Sequence, residues 1–201
     1  MIMDLFNQTV INPSSEISRI SGLKYFENYV SSHEHNDLIK VIDEQPWIHD
    51  LKRRVQHYGF KYDYKSRRID LSMRIGELPQ WATVIARRLY NDGYFQSEPD
   101  QLIVNEYKPG QGITSHIDCE PCFENTVASI SLGSNCVMDF TNKITQEKIP
   151  VYLAIRSVVI LQEDSRYNWT HGIAARKTDN YHGIVNHRTR RVSLTFRKTI
   201  I

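Results

Sequence analysis

His116 and Asp118 stand one residue apart at the end of the stretch 101–118, QLIVNEYKPGQGITSHID. In an extended strand, positions i and i+2 project from one face, so this imidazole and this carboxylate can converge on one point. Two histidines and a carboxylate on one side of a mononuclear iron(II) ion leave its other positions open to a chelating co-substrate and oxygen. The third ligand must come from later in the chain, and His171 in RYNWTHGI is the candidate. The plainer alternative is a surface loop pair at 116 and 118 and a hydrogen-bonded core histidine at 171.

A second constellation lies in RRVSLTFR, where Arg191 and Arg197 are six residues apart. On a strand this even spacing turns both to one face together with Ser193 and Thr195, while Val192, Leu194 and Phe196 make the other face apolar. A buried guanidinium fork needs an anionic partner, and two on one face suit a dianion. Asn105 and Tyr107 share a strand face in the same way.

These residues need strands to hold them. Short strands are expected at Leu102 to Tyr107, Val127 to Leu132, Val137 to Phe140, Ile149 to Leu153, Ser157 to Leu161, Trp169 to Ile173 and Val192 to Arg197. Strands at this spacing without intervening helices imply a sandwich or barrel. Two helices precede them. Ser31 with Glu34 is a capping-box pattern ahead of Leu38, Ile39 and Ile42, with Pro46 as the stop and Trp47 just beyond. Pro79 to Asn91 places Trp81, Val84, Ile85 and Leu89 on one side, with Gly93 past the end. Asn12-Pro13-Ser14-Ser15 reads as a turn within an arm, 1–20, that shows no sustained periodicity.

At 201 residues, 40% apolar and 24% charged, the chain suits one domain over 21–201 with a full core. The formal net charge of +2 does not announce a polyanion partner, so any such argument rests on local runs: Lys52-Arg53-Arg54, Lys65-Ser66-Arg67-Arg68 and Arg188 to Arg191. Such runs are also ordinary solvated faces. Three cysteines, Cys119, Cys122 and Cys136, suggest no disulfide framework, and with no signal-peptide pattern a reducing, intracellular setting is expected. The single Cys119–Cys122 CxxC is poor support for zinc, and Gly110 and Gly112 read as a turn before the ligand strand. No apolar run approaches the roughly 20 residues that span a bilayer, and a monomer without membrane attachment is expected.

Taken together, His116, Asp118, His171, Arg191, Arg197, Asn105 and Tyr107 resemble the AlkB-like iron(II) and 2-oxoglutarate dioxygenases that oxidise nucleic-acid bases. RYNWTHGI with NEYKPGQGI is most similar to the branch containing the tRNA wobble-uridine hydroxylase. The resemblance implies a mainly β fold with some α, a double-stranded β-helix or jelly roll buttressed by the N-terminal helices. It implies Fe(II), with 2-oxoglutarate and O2 as co-substrates, and RNA or single-stranded or flipped-base DNA as partner. Arg191 would pair with the distal carboxylate of 2-oxoglutarate and Arg197 would lie near its metal-proximal end, with Asn105, Tyr107 and Ser193 completing the site. A hydroxyl placed on an N-methyl carbon breaks down to formaldehyde, and one placed on a stable methylene remains. A protein or small-molecule hydroxylase on the same scaffold is the rival activity.

For the substrate, the resemblance places a nucleotide-recognition lid at 52–69, KRRVQHYGFKYDYKSRRI, where His57, Tyr58, Phe60, Tyr62 and Tyr64 are interleaved with basic residues and Phe60, Tyr62 and Tyr64 alternate as on a strand. The alternative is a half-buried hairpin face. Glu120, two beyond Asp118, stands where the family has a substrate-contacting carboxylate, usually Asp.

Overall fold

The computed structural model describes residues 13–63 and 66–201; the arm before residue 13, and Tyr64 and Lys65 of the expected lid, lie outside them. In chain order the elements are α1 (Ser14–Ile17), β1 (Leu23–Phe26), α2 (Ser32–Asp43), β2 (Val55–Tyr58), α3 (Gln80–Asn91), β3 (Gln101–Tyr107), β4 (Ile113–His116), β5 (Phe123–Leu132), β6 (Cys136–Asn142), β7 (Lys148–Leu153), β8 (Val158–Leu161), α4 (Glu163–Tyr167), β9 (Trp169–Ile173), β10 (Thr178–Tyr181), β11 (Ile184–His187) and β12 (Arg191–Thr199). Of the turn expected at Asn12-Pro13-Ser14-Ser15, Asn12 lies outside the described residues, and Pro13 to Ser15 form the entry to α1.

One sheet runs β1-β8-β5-β12-β3-β2 and a second runs β4-β9-β6-β7, with every pairing antiparallel. From β3 onward the chain passes back and forth between the two sheets, with the β6-β7 hairpin inside the small one, the winding of the expected double-stranded β-helix. Tyr107, Val127 and Val159 of the large sheet meet Phe140, Val151, Leu153 and Trp169 of the small one in a shared core. The polar hairpin β10-β11 stands apart as a third, two-stranded sheet.

The helices cover the outer face of the large sheet. Ser31 caps α2 as expected, accepting from the Glu34 N–H while Glu34 accepts from the Ser31 N–H. Leu38 and Ile42 of α2 and Ala82, Ile85, Ala86 and Leu89 of α3 pack on Leu102, Val104, Ala128, Ile130, Leu132, Leu194 and Phe196. The face of α3 differs from expectation at Val84, which is 56% exposed; the small Ala82 and Ala86 lie inward and let the helix approach the sheet. Among the described residues no helix is long and apolar enough to cross a membrane.

Candidate active site

On the inner face of the large sheet, the neighbouring strands β3 and β12 are in a register that sets Arg191 opposite Tyr107, Ser193 opposite Asn105, Thr195 opposite Ile103 and Arg197 opposite Gln101. Strict alternation sends this polar set inward, away from the helices. A cavity of about 480 Å³ opens over it, lined also by His116, Asp118 and His171 from the facing side. Val127, Met138, Val159, Leu161 and Ile173 form its apolar walls.

β4 pairs with β9 so that His116 stands directly opposite His171, the rings 4.6 Å apart. Gly112 and Gly172 allow this strand pair its closeness: a Cβ on Gly112 would come within 2.1 Å of the Ile173 carbonyl oxygen. Asp118 lies just past the end of β4 and turns inward, so that ligand atoms of His116, Asp118 and His171 all fall within 4.8 Å of one another. The His116 Nδ1–H donates to the Thr114 carbonyl at 2.8 Å, which leaves Nε2 with its lone pair toward the site.

Asp118 is 6% exposed, and one of its oxygens pairs with Arg197 Nη2 at 2.5 Å. Burial alone would raise its carboxyl, but Arg197, His171 and His116 together hold it well below the usual carboxylate range. Burial and the neighbouring His116 push His171 down to about 3, so it is a neutral imidazole at physiological pH. Its Nε2 faces Asp118 Oδ2 at 3.5 Å, and among the described residues that oxygen accepts no hydrogen bond. A buried carboxylate oxygen left without a partner beside two imidazoles suits a cation, and a two-histidine, one-carboxylate set suits iron(II).

The cavity's other end fits an anion by the same reasoning. Arg191 is 3% exposed, reaches Ser131 Oγ at 2.8 Å, and has a buried Nε–H without an acceptor. Its guanidinium lies 5.5 Å from the centre of the Tyr107 ring. Asp118 is the single acidic side chain among the lining residues, against Lys52, Arg53, Arg67, Arg191 and Arg197. A buried guanidinium with no carboxylate of its own fits a ligand carboxylate, as a dianionic 2-oxo acid would provide.

The structure separates the expected substrate residues. Tyr62 lines the cavity and packs on Phe123, ring centres 5.8 Å apart. Tyr58, by contrast, faces the helices, edge-on to Trp81 at 5.5 Å, with its hydroxyl donating to Gln56. Phe60 is buried outside the cavity lining. Glu120 is exposed and absent from the lining, because β4 stops at His116 and the i+2 rule does not carry beyond Asp118. The strand expected through Phe60 and Tyr62 ends at Tyr58, since Gly59 turns with φ +76°.

Several cations are committed differently from the sequence reading. Arg188 forks onto Asp179, and Arg190 binds Glu106 and Asp43, so neither belongs to a basic surface run. Cys119 and Cys122 are joined as a disulfide, contrary to the expectation of reduced cysteines, while Cys136 is free and buried. Arg166, unassigned from sequence, is 1% exposed and donates to the carbonyl oxygens of Asp118 at 3.0 Å and Cys119 at 3.4 Å. It fixes the backbone that carries the carboxylate. Its only signal in the sequence was an arginine in an otherwise ordinary segment before a ligand strand.

Residues 22–197 match the model of the 2OG-Fe(II) oxygenase superfamily. The chain belongs to that superfamily. This oxygenase is 37% identical over 84% of its length to the tRNA (carboxymethyluridine(34)-5-O)-methyltransferase ALKBH8 of Macaca fascicularis, covering 26% of that protein. It is 32% identical over 98% of its length to the "Alkylated DNA repair protein ALKBH8 homolog" of Arabidopsis thaliana, covering 65% of it. The oxygenase thus spans about a quarter and just under two thirds of these two relatives. The solved structure of OsALKBH1 superposes with a TM-score of 0.63 at 19% identity, over 88% of this chain and 96% of that one, and shares the fold. Fe(II) and 2-oxoglutarate are the cofactor and co-substrate of the superfamily to which the chain belongs.

Proposed function

We propose that residues 21–201 act as one catalytic domain that oxidises an alkyl group on a base of nucleic acid, presented unpaired or flipped out. The observation that carries the reading is the charge of the cavity: Lys52, Arg67 and Tyr62 stand at its wall from the 52–69 segment, and among the described residues no acidic side chain but Asp118 lines it. A cationic mouth beside an aromatic ring suits a phosphate-bearing strand and a stacked base. The names of the two relatives, one a tRNA enzyme and one a DNA repair protein, support the same class of substrate.

In this reading His116, Asp118 and His171 hold the iron, and Arg191, Asn105, Tyr107 and Ser193 hold 2-oxoglutarate. When bound, iron, oxygen and 2-oxoglutarate supply the oxidation: one oxygen atom enters a substrate C–H bond as hydroxyl, the other ends in succinate, and carbon dioxide leaves. Arg197 keeps Asp118 ionised, and Arg166 keeps it in place. The apolar walls around Met138 and Leu161 exclude water from the reacting carbon.

Nucleoside mass spectrometry tests the proposal, after incubation with iron(II), ascorbate and 2-oxoglutarate on methylated oligonucleotides and on total tRNA. Loss of a methyl group is the expected result for a demethylase. A gain of one oxygen on a modified uridine identifies the second reading, tRNA wobble-uridine hydroxylation, which the 37% identity to the tRNA enzyme favours. Consumption of 2-oxoglutarate with neither product overturns the nucleic-acid assignment and leaves a protein or small-molecule hydroxylase.

A further inference from the structure

Arg53 belongs to the stretch read from sequence as part of the nucleotide lid, yet its side chain turns toward the co-substrate wall. β2 pairs with β3 so that Val55 meets Asn105, and the Glu106 N–H donates to the Arg54 carbonyl just before it. Continuing that register sets Arg54 beside Glu106, to which it forks, and Arg53 on the opposite, inner face. There the Arg53 Nε–H donates to Asn105 Oδ1 at 2.8 Å, and its guanidinium lies 5.9 Å from the centre of the Tyr107 ring that Arg191 also approaches. Among the described residues no carboxylate pairs with Arg53 or Arg191, and both line the cavity.

An arginine can only donate, so its contact with Asn105 decides which way that amide faces. With Oδ1 taken, the amide N–H2 is what Asn105 has left to offer the cavity. The wall then offers a donor from every group: Asn105 Nδ2, the Tyr107 and Ser193 hydroxyls, which can also accept, and two guanidinium groups.

We propose that Arg53 is a positioning residue for 2-oxoglutarate: it orients the Asn105 amide as a donor and adds a second guanidinium, beside Arg191, for the carboxylate farthest from the metal. This rests on the co-substrate reading above. It makes the start of the lid segment part of the co-substrate site.

The test is calorimetric binding to the Fe(II)-loaded protein under argon, with two ligands. One is 2-oxoglutarate and the other 2-oxopentanoate, the same carbon chain with a methyl group in place of the distal carboxylate. Arg53→Gln is expected to weaken 2-oxoglutarate about tenfold and 2-oxopentanoate by no more than about twofold. Arg53→Lys, which keeps the charge but loses the Nε that meets Asn105, is expected to fall between the parent and Arg53→Gln. Equal weakening of both ligands would make Arg53 merely structural and overturn the proposal, and full affinity in Arg53→Lys would overturn the positioning of Asn105. Arg191→Gln separates the two levels of argument. If it lowers 2-oxoglutarate affinity while Arg53→Gln does not, the proposal alone fails; if Arg191→Gln changes nothing, the co-substrate reading fails and takes the proposal with it.

Discussion

Along β12, Val192, Leu194 and Phe196 are fully withdrawn from solvent against the helices, while Arg191, Ser193, Thr195 and Arg197, one step away each time, line the cavity. Both faces are buried, and they differ in what burial does. On the helix side, apolar area leaves water and every contact is satisfied by packing, so this face supplies stability. On the cavity side, Arg191 Nε, Arg197 Nε and Asp118 Oδ2 are buried without hydrogen-bond partners. Polar groups held that way cost stability, and they persist where the fold around them is strong enough to keep them fixed for a ligand. One strand thus carries the strongest part of the core and the most demanding part of the site.

The largest expected break in that division is Asp118→Ala. It removes the carboxylate between His116, His171 and Arg197, so succinate formation should fall below detection and iron should no longer be retained. Iron content measured beside 2-oxoglutarate consumption checks this, and retained turnover would take Asp118 out of the metal set. On the opposite face, Leu194→Ala should cost about 2–5 kcal/mol in denaturant unfolding, since Leu194 is 0% exposed among close-packed neighbours. Co-substrate affinity below the unfolding midpoint should stay at the parent value. If affinity and stability fall together, the two faces are not separable.

A smaller effect separates two tyrosines that sequence grouped together. Tyr62→Ala should weaken binding of a single-stranded oligonucleotide by about 1–3 kcal/mol if its ring is the stacking platform, with little change in melting. Tyr58→Ala should do the reverse, losing about 2 kcal/mol of stability through its contact with Trp81 while oligonucleotide binding holds. Fluorescence titration and thermal melting on both variants decide it.

That contrast marks where the sequence was legible. The alternation of β12 and the Ser31–Glu34 cap are short-range patterns that reappear in three dimensions because nothing interrupts their elements, whereas the HxD pair converges although β4 ends at His116. The strand expected from the alternation of Phe60, Tyr62 and Tyr64 does not continue β2, because the chain turns at Gly59; a Cβ there would meet the Asp100 carbonyl oxygen at 1.8 Å, so the chain passes this point only as glycine, in a left-handed turn. The β10-β11 hairpin was missed because it is partly exposed and polar, without the apolar period that announces a strand. Arg53 and Arg166 act on partners 52 and 48 residues away, an amide and a backbone carbonyl, and neither leaves a local pattern.

The smallest expected effect concerns pH. His57 follows Val55 on the inner side of β2, and burial, with Arg197, Lys61 and Arg53 nearby, lowers it to about 4. An unfolded histidine titrates near 6.5. Because the folded value is the lower one, the unfolded chain takes up its proton first. The contribution is therefore fully present above about pH 6.5 and is lost as pH falls from there toward 4. In the parent, His171 adds to the same loss through its own depressed value. Metal-free protein should show a falling melting temperature across this window, and His57→Gln should fall less steeply while keeping whatever slope His171 contributes. On the helix side of the sheet, Leu194→Ala should shift the whole curve down without changing its slope, because no titrating group is involved. A slope altered by Leu194→Ala, or unaltered by His57→Gln, would mean that the acid response does not originate on the cavity face.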